Sequence, residues 1–326
     1  MPDMSSPRKP PRRFWLFAPY GAVLVVALVW SMVWLDLSQQ IVHGLDATAA
    51  RLRERGWTVE WSERTVGGYP FRLDVNLEAP RIAEPSGWSV AAPRLKGEAY
   101  AYAPGHWVLA APQGLTLTRP GRGAVSIAGQ ALRASVIAAG GDQAPRIAVE
   151  GLKLAFTAGA GATPLPIATC DHLGLYLRSL PGDAAEFQLH LEGAVPTRGG
   201  LLARLDPSQP VSLIWDQSLT RVSALRGANW PSAVRAWSAA GGVLTLAHGQ
   251  LSATDLIITV KSDQMSIDPD GRPEGALSLD LSQAGAAPAR LGPAVALATL
   301  FKTSLRLKDG SLLLGPFRIA AAPRVY

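Results

Sequence analysis

The sequence predicts a mainly β (α+β) fold: an N-terminal transmembrane helix followed by a large curved antiparallel β-sheet ectodomain with a few short helices. Three observations predict it. An uncharged apolar run extends from Phe14 to Leu35. Segments such as Phe71-Arg72-Leu73-Asp74-Val75-Asn76-Leu77-Glu78 alternate strictly, which places Phe71, Leu73, Val75 and Leu77 on one face of a strand. Finally, the chain of 326 residues holds 32 Gly and 26 Pro, yet 48% of it is hydrophobic and only 17% charged. Such a chain is rich in turns and still has enough apolar material for a core.

The elements follow in order. Residues 1–13 form a basic tail with Arg8, Lys9, Arg12 and Arg13 against Asp3. The run 14–35 would span about 33 Å as a helix, matching a hydrocarbon core of about 30 Å. Trp15 and Tyr20 lie toward one end and Trp30 and Trp34 toward the other, the arrangement of an aromatic belt. The run is too long for a signal peptide's apolar region and ends in Trp34-Leu35-Asp36 without a small-residue cleavage site. An uncleaved anchor is therefore expected. The basic tail orients it with the N-terminus in the cytoplasm and the remainder, in a bacterium, in the periplasm.

Residues 37–56 form a second helical stretch. Leu37, Ile41, Leu45, Ala49 and Leu52 recur on one face, the basic residues Arg51, Arg53 and Arg55 suit the C-terminal dipole, and Gly56 suits a cap. This stretch either continues the anchor as a stalk or packs across the mouth of the following sheet.

From Trp57 the period changes to two, and residues 57–326 read as one β-rich domain. Trp57, Val59 and Trp61 alternate with polar residues, and Gly67-Gly68 turn the chain into the strand from Phe71. Further strands are expected near 88–91, 98–103, 107–111, 114–119, 124–128, 131–138, 146–157, 172–180, 186–192 and 211–222, broken by Gly and Pro as in an antiparallel meander. The stretch 158–168 is either a sub-boundary between two layers or a long surface loop. Helices are expected over 229–242, with Pro231 in the first turn and Gly241-Gly242 at the end, and over 290–302. A last hairpin turns at Asp309-Gly310.

"GGYPFRLDV", "WPSAVRAWSAAGG", "IDPDGRPEGALSLDL" and "DGSLLLGPFRIAAAPRV" occur in this order. Together they resemble an uncharacterised family of single-pass alphaproteobacterial envelope proteins, a domain of unknown function of the DUF2125 type. That resemblance implies location and layout but no activity, so it assigns no catalytic residue. More remotely, the layout and the Gly68-Tyr69-Pro70-Phe71 turn are similar to AsmA-like envelope proteins, some of which are implicated in moving lipid. This chain is far shorter than the bridge-forming members.

Half of the net charge of +6 sits in the first 13 residues. The rest has no clustered cations, which argues against nucleic-acid binding. The single cysteine, Cys170, permits no internal disulfide. His43, His106, His172, His190 and His248 form no strong metal pattern, and no cofactor is expected. "DPDGRPE" at 268–274 lacks the terminal glutamate of a calcium loop and reads as a hairpin turn. No nucleophile elbow, Walker A or dinucleotide glycine pattern occurs. No enzyme is expected, and the apolar strand faces carry the functional reading. They form an ordinary filled core or the wall of a groove for lipid or lipid-linked material. Trp57, Val59, Trp61, Phe71, Leu73, Val75 and Leu77 are the expected wall. The alternative is an envelope scaffold that docks on another protein through a sheet edge.

Overall fold

The computed structural model describes residues 14–138, 145–199, 202–204, 209–253, 256–282, 303–322 and 324–325. The expected helix over 290–302 lies outside the described residues.

One continuous helix, α1 (Phe14–Glu54), contains both the apolar run and the stalk. At 1.5 Å per residue its 41 residues extend about 60 Å. It is long and apolar enough to cross a membrane. Its end is built as the basic residues and Gly56 suggested. Gly56 adopts a positive φ of 83°. The Trp57 amide then reaches the Leu52 carbonyl, and the Gly56 amide reaches the Arg53 carbonyl. Those two bonds satisfy carbonyls the last turn leaves open.

The rest is an antiparallel meander in which every long segment pairs with the next in the chain. Its first five segments are each interrupted once: β1 (Thr58–Glu60) and β2 (Glu63–Gly67); β3 (Arg72–Glu78) and β4 (Arg81–Ala83); β5 (Ser89–Ala91) and β6 (Arg94–Tyr100); β7 (Ala103–Ala110) and β8 (Leu115–Arg119); β9 (Gly123–Ala128) and β10 (Ala131–Ile137). The ladder continues across the breaks. Gly67 faces Asp74 in one half and Thr58 faces Ala83 in the other, without a slip. The next strand, β11 (Arg146–Ala158), joins both halves, pairing Leu152 with Ala131 and Ala155 with Ala128.

The breaks line up as a seam across adjacent strands. Pro80 and Pro93 sit on it, and the Ala79 and Ala92 amides bond the carbonyls of Pro93 and Pro80 respectively. Proline has no amide for the ladder, so within a sheet it belongs at such a break. Ala79, Gly114 and Lys153 carry positive φ of 47°, 76° and 50° where the seam crosses their strands. At Gly114 a Cβ would come within 2.4 Å of the Ile127 carbonyl oxygen, so only glycine fits. The seam also shifts the side-chain phase. Val75 and Leu77 face the same hollow as Pro80 and Ile82. In an uninterrupted strand, odd and even positions would point to opposite faces.

The sheet continues through β12 (Ile167–Leu180), β13 (Ala184–Pro196) and β14 (Val211–Thr220). Residues 159–166 connect β11 to β12, which pair directly. Helix α2 (Trp230–Ala239) follows, its start fixed by Asn229 and Ser232 in a reciprocal capping box. Val234 and Trp237 bury its inner face against Ile267. The sheet then resumes as β15 (Leu244–Ala253), β16 (Leu256–Ile267), β17 (Pro273–Ser282), β18 (Thr303–Lys308), β19 (Ser311–Leu314) and β20 (Phe317–Ala321). The 268–272 segment is the β16–β17 turn, with Gly271 at φ 78°. Asp309-Gly310 forms the β18–β19 turn, both residues with positive φ. Buried side chains gather in several separate clusters along the sheet, such as Leu154, Cys170, Ala194 and Val211.

Candidate functional site: an apolar cavity under the helix

The stalk half of α1 lies over the sheet at the seam, and a cavity of about 580 Å³ remains between them. Helix residues Ile41, Gly44, Leu45, Thr48 and Leu52 form its roof. Val59 and Trp61 from the first segment and Val75 and Leu77 from β3 form part of the floor. The floor draws on both sides of the seam, whose phase shift turns side chains of both halves toward one hollow. The volume is in the usual range for small-molecule sites of about 300–1,000 Å³.

Small residues keep the space open. Gly97 pairs with Val75 on one side and with Leu109 on the other. A Cβ there would press on the Leu109 and Trp107 side chains at 3.2 and 3.4 Å. Gly44 in the roof has nothing within 4 Å of where a Cβ would stand.

Polar contacts clamp the roof at its rim. Arg64 on β2 makes a two-pronged ion pair with Asp46 on α1, at 2.6 and 3.2 Å. That hydrogen bond holds the Asp46 carboxyl below the usual aspartate range. The Arg53 Nε donates to the Val59 carbonyl at 3.1 Å. Trp61 stands between the two guanidiniums, 5.8 Å from Arg53 and 5.7 Å from Arg64, at distances where a cation is drawn to a ring face.

The end of the cavity nearer the apolar run of α1 is closed by packing. Leu73 is fully buried with Trp34 and Ala101, against Trp30, Leu37, Ile41 and Trp107. Ile41 and Trp107 belong both to this plug and to the cavity wall.

The seven expected wall residues therefore divide. Val59, Trp61, Val75 and Leu77 line the cavity. Leu73 belongs to the plug beneath α1. Phe71 is 63% exposed beyond it, beside Trp30. Trp57 faces a different, wider hollow with Glu84 and Trp230, where its indole donates to the Ala228 carbonyl at 3.1 Å. Sequence reasoning missed Pro80, Ile82, Leu95, Leu109 and Val136 in the floor and Gly44 in the roof. The repeated Ala-Pro pairs at 79–80, 92–93 and 111–112 were the available signal for the seam.

Cys170 is buried in the core, which pushes its thiol upward and away from a nucleophilic thiolate. His106 contacts Ser135 at 3.0 Å, and His190 contacts Asp216 at 3.5 Å. Among the described residues no three His, Cys, Asp or Glu side chains converge as a metal site.

The fold and the cavity define a class: a long N-terminal helix, apolar enough for a membrane, joined to an antiparallel β-meander, with an apolar hollow between the two. The chain belongs to the family described as uncharacterized protein conserved in bacteria (DUF2125), whose model matches residues 34–323. Neither the curated proteins nor the solved structures contain a match.

Proposed function

We propose that this protein is a non-enzymatic, membrane-anchored component of the bacterial envelope that holds acyl chains of lipid or lipid-linked material. The observation that carries the reading is the 580 Å³ cavity with its apolar floor and helical roof. Each methylene transferred from water into such a space contributes about 0.8 kcal/mol. Eight methylenes would contribute about 6 kcal/mol before ordering costs, enough for useful affinity without polar recognition. The ligand would be selected for its chain, with the rim of Arg53, Arg64 and Glu60 left to meet its polar end.

α1 is the single-pass anchor in this reading, inserted in the inner membrane. The basic residues Arg8, Lys9, Arg12 and Arg13 put the N-terminus in the cytoplasm and the sheet in the periplasm. The test is lipid mass spectrometry of the full chain extracted in mild detergent, beside a Thr48→Glu variant. Thr48 is an exposed roof residue, so the substitution adds a charge at the cavity without disturbing the core. Wild type should carry a stoichiometric acyl lipid and Thr48→Glu much less. Equal, trace amounts in both would reject the reading.

A second reading rests on a different observation. β20 pairs only with β19 among the described residues, and Phe317 beside this edge is 71% exposed. An open edge with an aromatic residue suits strand addition by another envelope protein. A stable crosslinked partner at residues 317–321, with no bound lipid, would favour that adaptor role.

A further inference from the structure

We infer that the β2–β3 hairpin and the β6–β7 turn form an aromatic foot that rests in the headgroup layer of the membrane that α1 crosses. This inference rests on α1 being the anchor, and it adds a second contact made by the sheet itself.

The hairpin stands directly against the last turns of the apolar run. The Trp30 indole donates to the Pro70 carbonyl at 2.8 Å, and the Trp34 indole donates to the Arg72 carbonyl at 2.7 Å. The Ser31 and Tyr69 hydroxyls share a hydrogen bond of 2.8 Å. Further along α1 than Trp34, Asp46 pairs with Arg64, which sits opposite Leu77 on β3. From Trp34 to Asp46 the helix rises about 18 Å, and from Arg72 to Leu77 the strand advances about 17 Å. β3 therefore climbs alongside the helix, with the β2–β3 turn at the apolar end of α1. The apolar run ends at Leu35, five residues past Trp30. The turn therefore lies about 7 Å inside that end, within the boundary zone where amphipathic elements rest about 5–10 Å deep.

The exposed side chains at this level suit that zone. Tyr69 is 55% exposed, Phe71 63%, Tyr100 53% and Tyr102 71%. Tyr100 sits opposite Arg72 across the ladder, and the Ala101 amide bonds the Phe71 carbonyl, so the four belong to one end of the sheet. The Tyr100 and Tyr102 rings stack at 5.0 Å. Phenol rings with apolar bodies and wet tips gather at membrane interfaces. On the same rung as Tyr100, Arg72, half exposed, pairs with Asp74 at 2.8 Å and Glu98 at 3.5 Å, where polar lipid heads would lie. Among the described residues past α1, the other exposed aromatic residues, Trp88, Trp230 and Phe317, are on separate elements.

The test is the depth of single spin labels on the full chain in phosphatidylcholine vesicles, read from collisions with oxygen and with a water-soluble nickel complex. Labels go to Tyr102→Cys in the foot, Met32→Cys in α1 and Ser126→Cys on β9. Buried Cys170 stays unlabelled. The expected result is a several-fold higher oxygen-to-nickel ratio at positions 102 and 32 than at 126. A lipid-exposed 32 with an aqueous 102 overturns the foot and leaves the anchor standing. An aqueous label at 32 overturns both.

Discussion

Gly44→Leu gives the sharpest single perturbation of the cavity. Gly44 lies in the interior of α1 and roofs the hollow, and a Cβ there meets nothing within 4 Å. Leucine adds two separable effects. Replacing a helix-interior glycine by a good helix former gains about 0.7 kcal/mol. Burying a leucine fully is worth about 1.5–3 kcal/mol, and because Gly44 stands on the open side of the hollow about half of that applies. The sum is about 2 kcal/mol in delipidated protein, or about 5 °C in midpoint for a domain of this size. Gly44→Ala supplies the helical gain alone. Thermal melts in one detergent, paired with lipid extraction, separate the effects. Gly44→Ala should retain wild-type lipid with a gain below 1 kcal/mol, and Gly44→Leu should lose lipid while gaining more. If the two variants match in both stability and lipid content, no usable space exists at this site and the reasoning fails.

Other consequences follow from the same geometry. Leu73→Ala should cost about 2–5 kcal/mol, because the residue is fully buried in the plug between α1 and the sheet; urea unfolding reads it, and a neutral result would mean the helix does not pack there. Gly114→Ala should cost more than about 1 kcal/mol, since its φ of 76° and the Ile127 carbonyl at 2.4 Å leave a methyl no room; unchanged stability in urea would count against the seam as drawn. The folded-state Asp46 carboxyl titrates below its ordinary value, so the Arg64 tie contributes fully above the unfolded aspartate value and is lost as pH falls through the lowered one. The melting difference between wild type and Asp46→Asn should accordingly be constant near neutrality and close in acid; a difference that grew in acid would reverse the assignment. Cys170 should resist an aromatic disulfide reagent until denaturant is added, because it is buried and its thiol titrates high; prompt reaction of native protein would contradict the packing around Leu154.

Much of this was legible along the chain because local chemistry decided it. The charge-free run, the alternation through Leu73, Val75 and Leu77, the Gly56 cap and the Asp309-Gly310 turn each act within a few residues. Pro231 in the first turn of α2 and Gly241-Gly242 after its end do the same. The seam was not legible, because Pro80 and Pro93 read as the ends of separate strands. They interrupt strands whose ladder continues on both sides, and only the partner's register reveals that. The phase shift at Ala79 likewise hid Pro80 and Ile82 from a period-two reading. Leu73 and Phe71 share the strand face of Val75, yet one is sealed under α1 and the other stands beyond the plug. What separates them is the position of the helix, which strand periodicity does not encode.

The central claim is that acyl chains occupy the space between the stalk helix and the sheet. A fatty acid bearing a diazirine near its terminal carbon, crosslinked to the full chain in vesicles and mapped by peptide mass spectrometry, tests it most directly. Label on Val75, Leu95 and Leu109 is the predicted result. Label confined to residues 14–35 would show that lipid meets only the anchor, and the account would be contradicted.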